Sequence, residues 1–329
     1  MKGLSEIFEK NDWSQDPEVL ALYGADWTKH YHVKARAVVF PRSEDQVMEL
    51  VKWARKEKQA LVPSGGRTGL SAAAFATSGE VVVSFEKMNK IKEWNAYDQQ
   101  VICEPGVITE NLQNFVLEKG FFFPVDFASR GSSQIGGNVA TNAGGIKVIR
   151  YGLMRNWVAG LRVVTGRGEI LSLNNGLIKN ATGYDLRHLF IGSEGTLGFF
   201  TEITLSVTLP PSPTQVFVLG IPRLESIMEV YLAFKRKMPL MAVELFTELS
   251  TQYVVAQGHV KRPFETQTPY YLLLEIEESF MDEAMTVFES CLEKGNVEDG
   301  VISQNKQQAK ELWRLREDIT EATAHKDPY

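Results

Sequence analysis

Apolar and polar positions along the chain switch between a period of two and a period near 3.6, and the switches mark its elements. An opening segment to about residue 33 is rich in aromatics (Trp13, Tyr23, Trp27, Tyr31) but shows no period. It is expected to pack as an irregular arm, residues 1–34, without chemistry of its own. The strand-like run Ala37-Val38-Val39-Phe40 then leads to Ser43-Glu44-Asp45-Gln46. A serine with glutamine three residues on has the spacing of a capping box, which predicts a helix start. In that helix Val47, Leu50, Val51 and Ala54 share one face, and Ala60-Leu61-Val62 reads as a short buried strand completing a β-α-β opening. Further strands are predicted at 81–85 and 101–103. A helix follows from about 108 to 119, closed by Gly120 as a C-cap.

Leu209-Pro210-Pro211-Ser212-Pro213 places three prolines in four residues, which no central strand accommodates, and forms a stiff connector. Beyond it, strands at 216–221, 241–246 and 270–276 alternate with helical patterns at 224–237, 281–294 and 306–324, and glycine becomes sparse. There is no internal repeat. The 329 residues fit two domains at about 100 to 200 residues each, expected at 35–210 and 211–329. Composition (44% hydrophobic, 23% charged) is that of a globular protein. A net charge of -6 excludes the basic footprint of a nucleic-acid or anionic-membrane binder, while leaving room for a small anionic ligand held by local charge. Cys103 and Cys291 stand alone, which supports neither a disulfide framework nor a cysteine metal site. The first residues lack the apolar stretch of a signal peptide, and no run approaches the roughly 18 apolar residues of a membrane span. A soluble protein of the reducing cytoplasm is expected.

Glycine-rich loops carry the candidate chemistry. Pro63-Ser64-Gly65-Gly66-Arg67-Thr68-Gly69-Leu70 follows a strand, where successive backbone N–H groups can converge on one anion. It is neither a P-loop nor a G-x-G-x-x-G turn, and on these residues alone a tight structural turn fits as well as a phosphate cradle. The second loop, Ser132-Ser133-Gln134-Ile135-Gly136-Gly137-Asn138-Val139-Ala140-Thr141-Asn142-Ala143-Gly144-Gly145, gives up core volume over a long run. That favours a ligand site in which flat groups approach the backbone and Asn138, Thr141 and Asn142 supply hydrogen bonds. Asn180-Ala181-Thr182-Gly183-Tyr184-Asp185-Leu186 and Ile191-Gly192-Ser193-Glu194-Gly195-Thr196-Leu197-Gly198 follow; taken singly each reads as loop punctuation.

Taken in order, with Pro124-Val125-Asp126 between the first two, these motifs resemble the vanillyl-alcohol oxidase-type (PCMH-type) FAD-binding flavoproteins. Within that group the chain looks most like the D-2-hydroxyacid dehydrogenases, which include D-2-hydroxyglutarate and D-lactate dehydrogenases and the glycolate oxidase flavin subunit. The resemblance spans about residues 35 to 325. It implies an α+β fold: a two-subdomain FAD-binding domain, then an α+β substrate domain with an antiparallel sheet. It implies that Ser64 to Gly69 wrap the FAD pyrophosphate, that Gly136, Gly137, Asn138, Thr141, Asn142, Ala143 and Gly144 line the flavin, and that Gly195 lies near the dinucleotide. Pro63, Leu70, Pro124, Asp126, Ser132, Ile135, Tyr151 and Glu194 complete the implied cofactor set. Members that attach flavin covalently often carry histidine in the first loop; Gly66-Arg67-Thr68 stands here, so FAD is expected to be non-covalent.

Positions 316 and 320 lie four apart in a predicted helix, hence on one face, where a guanidinium and a hydroxyl can clamp a carboxylate. From spacing alone a solvated helix with Arg316 paired to neighbouring acids is the more ordinary outcome. The resemblance reverses that: Leu315-Arg316-Glu317-Asp318-Ile319-Thr320 looks like the substrate-carboxylate segment of D-2-hydroxyglutarate dehydrogenases. Among the histidines, the His30-x-His32 pair lacks a third ligand, His188 reads as packed or capping, and His259 and His325 have no recognisable partner. No metal is placed on this chain. Relatives continue past the arginine helix into a histidine-rich segment carrying metal ligands and the base, whereas this sequence stops at Tyr329; a fragment ending inside the substrate domain is expected, with a divalent metal belonging to the full-length protein. The implied activity is FAD-dependent oxidation of a D-2-hydroxy acid to the 2-oxo acid. The electron acceptor is left open among a quinone, an electron-transfer flavoprotein and a cytochrome, and a homodimer is compatible with it. The rival reading is a flavin-binding electron-transfer or assembly subunit without substrate oxidation of its own.

Overall fold

The computed structural model describes residues 3–28 and 31–324, so His30 and His325 lie outside the described residues. The chain divides into two compact units, Met1–Gly145 with Leu153–Pro210, and Ile146–Gly152 with Pro211–Tyr329.

The first unit opens with helix α1 (Leu4–Ile7), strand β1 (Trp13–Ser14) and helix α2 (Pro17–Tyr23), so residues 4–23 carry short elements where an irregular arm was expected. Its strand is too short to display a period, and β1 gains its place by pairing antiparallel with β2 (Ala37–Val39). Helix α3 (Glu44–Glu57) forms as the pattern demands: Val47, Leu50, Val51 and Ala54 are all buried, acids occupy its first turn and Arg55 and Lys56 its last. Ser43 Oγ accepts from Gln46 N, but the Gln46 side chain reaches back to the Arg42 amide (2.7 Å) instead of the serine's own. Strands β3 (Leu61–Ser64) and β4 (Val81–Ser84) complete a sheet of order β1-β2-β4-β3, parallel except for β1. The β-α-β pair β2 and β3 is therefore separated by β4.

The other sheet of this unit is antiparallel, ordered β5-β6-β9-β7-β8 from β5 (Ile91–Asn95), β6 (Gln100–Cys103), β7 (Val158–Thr165), β8 (Ile170–Leu173) and β9 (Gly198–Ser206). Helices α4 (Thr109–Leu117) and α5 (Ile135–Ala140) cover it, burying Leu112, Val116, Ile135 and Val139 with Ile203 and Leu205 in one core. Gly120 ends the α4 turn with φ +81°. The short α6 (Val148–Tyr151) groups with the second unit, and α7 (Arg187–Phe190) with the first. Glu44 bonds Arg162 on β7 and Thr201 on β9 (2.6 Å), tying α3 to the antiparallel sheet.

The second unit is one antiparallel sheet, β11-β12-β10-β13, of β10 (Thr214–Ile221), β11 (Leu240–Thr247), β12 (Tyr270–Glu277) and β13 (Asp299–Ile302). Helices α8 (Leu224–Lys235) and α10 (Met281–Glu293) pack on the face of Phe217, Leu219, Leu272 and Leu274. The opposite face, with Val216, Val218, Tyr271 and Leu273, takes α9 (Glu248–Ala256), α11 (Lys306–Glu317) and α12 (Ile319–Ala324). The segment around α6 joins this unit through Lys147–Glu275 (3.2 Å) and Arg150–Glu277 (3.7 Å) ion pairs. The single helix read over 306–324 is two helices. Asp318 closes α11, its carboxylate held by Arg314 Nε (2.9 Å) and Nη2 (2.8 Å), and Asp-Ile-Thr are weak helix formers.

Candidate functional site

Within the first unit a cavity of about 520 Å³ opens beside the first glycine loop. Of the cofactor residues inferred from sequence, Pro63, Gly65, Gly66, Arg67, Thr68, Gly69, Leu70, Gly137, Asn138, Thr141, Ala143, Gly144 and Glu194 line it. An adjoining recess of about 50 Å³ takes in Ser64, Gly136 and Gly195.

The loop is built to leave donors free. Arg67 is left-handed (φ +57°), which turns the chain sharply between Gly66 and Gly69. The amides of Gly66, Arg67, Thr68 and Gly69 donate to no protein acceptor among the described residues. Gly66, Arg67 and Thr68 are half-buried and Gly69 is exposed, so these amides stand open to solvent or to an anion that enters the cavity. The Arg67 guanidinium lies 4.4 Å from the Tyr23 ring centroid, donates through Nη1 to Gly65 O (3.4 Å) and makes no ion pair among the described residues. Burial, together with the Glu86 hydrogen bond, pushes the Tyr23 hydroxyl up to about 12, keeping that ring neutral under the cation. No alanine fits at Gly66, where a Cβ would stand 2.3 Å from Ser132 O; the two glycine loops touch there backbone to backbone.

The second loop differs from the open run inferred from composition, because residues 135–140 wind into α5. Gly137 faces space, with nothing within 4 Å of where a Cβ would sit. The polar side chains expected to reach a ligand are already engaged: Asn138 Nδ2 donates to Thr109 Oγ1 (2.7 Å), Thr141 Oγ1 to Gly137 O (3.0 Å), and Asn142 Oδ1 accepts from Arg155 N (3.0 Å). Only the Thr141 bond is local to the helix; the partners of Asn138 and Asn142 come from distant parts of the chain, which a list of loop residues cannot reveal.

Other inferred positions lie off the cavity. Ile135 is fully buried in the core, Pro124 is buried, and Asp126 pairs with Arg130 (2.9 Å). Ser132 and Asn142 line neither recess, and Tyr151 belongs to the second unit. Several lining residues stand outside the cofactor set inferred from sequence: Asp26, Phe127, Ser129, and Gln134 and Ala140 of the second loop. Asp26 comes from the segment read as without chemistry. It accepts from Thr28 N (2.9 Å) and Oγ1 (2.7 Å), and from the Ala72 amide (2.8 Å), pinning the far end of the glycine loop. Gln134 Oε1 is buried with no hydrogen-bond partner, an acceptor left open at the cavity wall.

In the second unit Arg316 ends α11, donating through Nε to Glu244 Oε2 of β11 (2.6 Å). Exposed Thr320 sits across the Asp318 break, in α12, so the two are not successive turns of one helix. His188 contacts Arg155 and Asp185. Among the described residues no group of three His, Cys, Asp or Glu side chains could hold a metal ion, and no helix is long and apolar enough to cross a membrane.

Residues 35–174 match the FAD binding domain family, and residues 210–329 the C-terminal domain of FAD linked oxidases. The chain is 54% identical to the D-2-hydroxyglutarate dehydrogenase of Stutzerimonas stutzeri, over 99% of this chain and 71% of that protein. It is 50% identical to that of Xanthomonas citri, over 95% of this chain and 67% of that protein. A structure of p-cresol methylhydroxylase with substrate bound shares the fold at a TM-score of 0.75, with 16% identity over 96% of this chain and 68% of the other.

Proposed function

This chain belongs to the FAD-dependent D-2-hydroxyacid dehydrogenase family, and from that premise we propose that it oxidises D-2-hydroxyglutarate or D-lactate to the 2-oxo acid. The first unit holds FAD, and the second, with the residues beyond Pro210, holds the substrate. The observation that carries the cofactor assignment is the set of four unpartnered amides beside Arg67, which makes no ion pair among the described residues, since a pyrophosphate needs donors and positive charge together. Gly137, Ala143 and Gly144 offer a wall without bulky side chains to a flat ring, and Gln134 Oε1 an acceptor to a ring N–H. Bound there, FAD supplies the two-electron acceptor at N5 for the hydride leaving C2, while the hydroxyl proton passes to a base. Without histidine in the 64–69 loop, the cofactor is held by non-covalent contacts.

Arg316 holds the substrate carboxylate. Its Nη1 and Nη2 have no protein partner among the described residues, which leaves an edge for bidentate contact; Thr320 adds a hydroxyl nearby in sequence. Electrons then leave to a quinone, an electron-transfer flavoprotein or a cytochrome. The buried free thiols Cys103 and Cys291, which burial pushes upward in pKa, suit a reducing cytoplasm. In anaerobic titration of the FAD-loaded protein, D-2-hydroxyglutarate or D-lactate should bleach the flavin absorbance. A flavin that stays oxidised with every 2-hydroxy acid overturns the reading in favour of an electron-transfer or assembly role.

A further inference from the structure

We infer that Glu244 is a positioning residue for the substrate-binding Arg316; this inference rests on the assignment of Arg316 to the substrate carboxylate. Glu244 lies mid-strand on β11, opposite Leu273 of β12. Leu273 packs in the core that also takes Leu312 and Leu315 of α11, so the helix is anchored over this face and delivers the next residue, Arg316, to Glu244. The contact is one short hydrogen bond, Nε to Oε2 at 2.6 Å, with the carboxylate largely buried (19% exposed) and the arginine 36% exposed.

What this bond leaves unused is the basis of the inference. A guanidinium is planar, with five donors. Holding Nε fixes the plane and spends none of the Nη1/Nη2 edge. Arg262 of the same unit shows the opposite arrangement: Nη1 and Nη2 both go to Glu248, and that edge is consumed. An arginine serving packing alone gains by the second kind of pair, because half-buried donors without acceptors cost stability. Arg316 instead keeps two nitrogens open among the described residues, an arrangement suited to a ligand that brings its own carboxylate. Glu244 also subtracts from the positive field that such a ligand meets, so its two effects, orientation and charge, oppose one another and separate by substitution.

Glu244→Gln keeps an acceptor for Nε and removes the charge; KM for D-2-hydroxyglutarate should stay within about threefold of wild type or fall. Glu244→Ala frees the guanidinium and should raise KM roughly tenfold, with kcat changed less than about threefold. The Kd of the 2-oxo acid product, measured by calorimetry on the FAD-loaded protein, should rise in parallel. In an Arg316→Ala background Glu244→Ala should add nothing further, as expected if it acts through the arginine. A further loss in that background, or a tenfold KM rise in Glu244→Gln, overturns the inference, and the second comparison stands even if Glu244→Ala folds poorly. If Arg316→Ala alone leaves KM and Kd unchanged, the substrate assignment of Arg316 fails and takes this inference with it. If Arg316→Ala weakens binding and Glu244→Ala does not, the inference about Glu244 alone fails.

Discussion

Two glycines at the cavity show how one residue type does different work. At Gly66 an added methyl would strike the Ser132 and Ser133 backbone, so glycine there permits loop contact. At Gly137 a methyl meets no protein atom within 4 Å, so glycine there keeps space clear for a ligand. Gly137→Ala should therefore leave the apoprotein as stable as wild type, or up to about 1 kcal/mol more stable through helix propensity, while weakening FAD binding by about tenfold or more. Flavin-to-protein ratios after dialysis, beside thermal melts of the apoprotein, check it; unchanged flavin retention would remove Gly137 from the site. Sequence showed that both were glycines in glycine-rich runs. It could not distinguish them, because the distinction lies in whether a distant backbone, that of Ser132 and Ser133 for Gly66, crosses at that point.

Between elements, the Glu248–Arg262–Tyr271 cluster pins the start of α9 to β12. Arg262 binds the carboxylate through both terminal nitrogens and Tyr271 donates at 2.7 Å. The Arg262 hydrogen bond holds the Glu248 carboxyl well below its usual range, at about 2. A folded-state pKa below the unfolded value of about 4.3 means that this stabilisation is present above pH 4.3 and is lost as pH falls toward 2. Glu248→Gln should thus be less stable than wild type at pH 7, by roughly 1–2 kcal/mol given partial solvent screening, with the gap closing between about pH 4.3 and 2. Urea unfolding across that range is the measurement, and a gap constant with pH would show that the charge is not responsible. Amphipathic periods marked α3, α8 and α10 because each buries one stripe. The break at Asp318 was not anticipated, because the amphipathic period runs on across Asp-Ile-Thr although these are weak helix formers.

At the scale of the molecule, the cavity and all its lining residues belong to one compact unit, so a ligand that binds there stabilises that unit by mass action, about 2.7 kcal/mol at a concentration 100 times Kd. Calorimetry of the apoprotein should show one transition moving upward with FAD, and denatured, filtered holoprotein should release its flavin. Flavin retained on the chain would refute non-covalent binding. Hydrophobic period placed about half of the strands and helices, the prolines after Leu209 signalled a change of composition, and the order of five short motifs carried the family and its cofactor, since each of these is encoded over a few neighbouring residues. Folding alone decided that the opening segment would contribute Asp26 to the cavity wall, that Ile146–Gly152 would join the second unit, that Asn138 and Asn142 would bond to protein, and that Arg316 would meet Glu244. Each of these depends on side chains and backbones brought together from distant positions, where burial and competition for hydrogen bonds decide the partners.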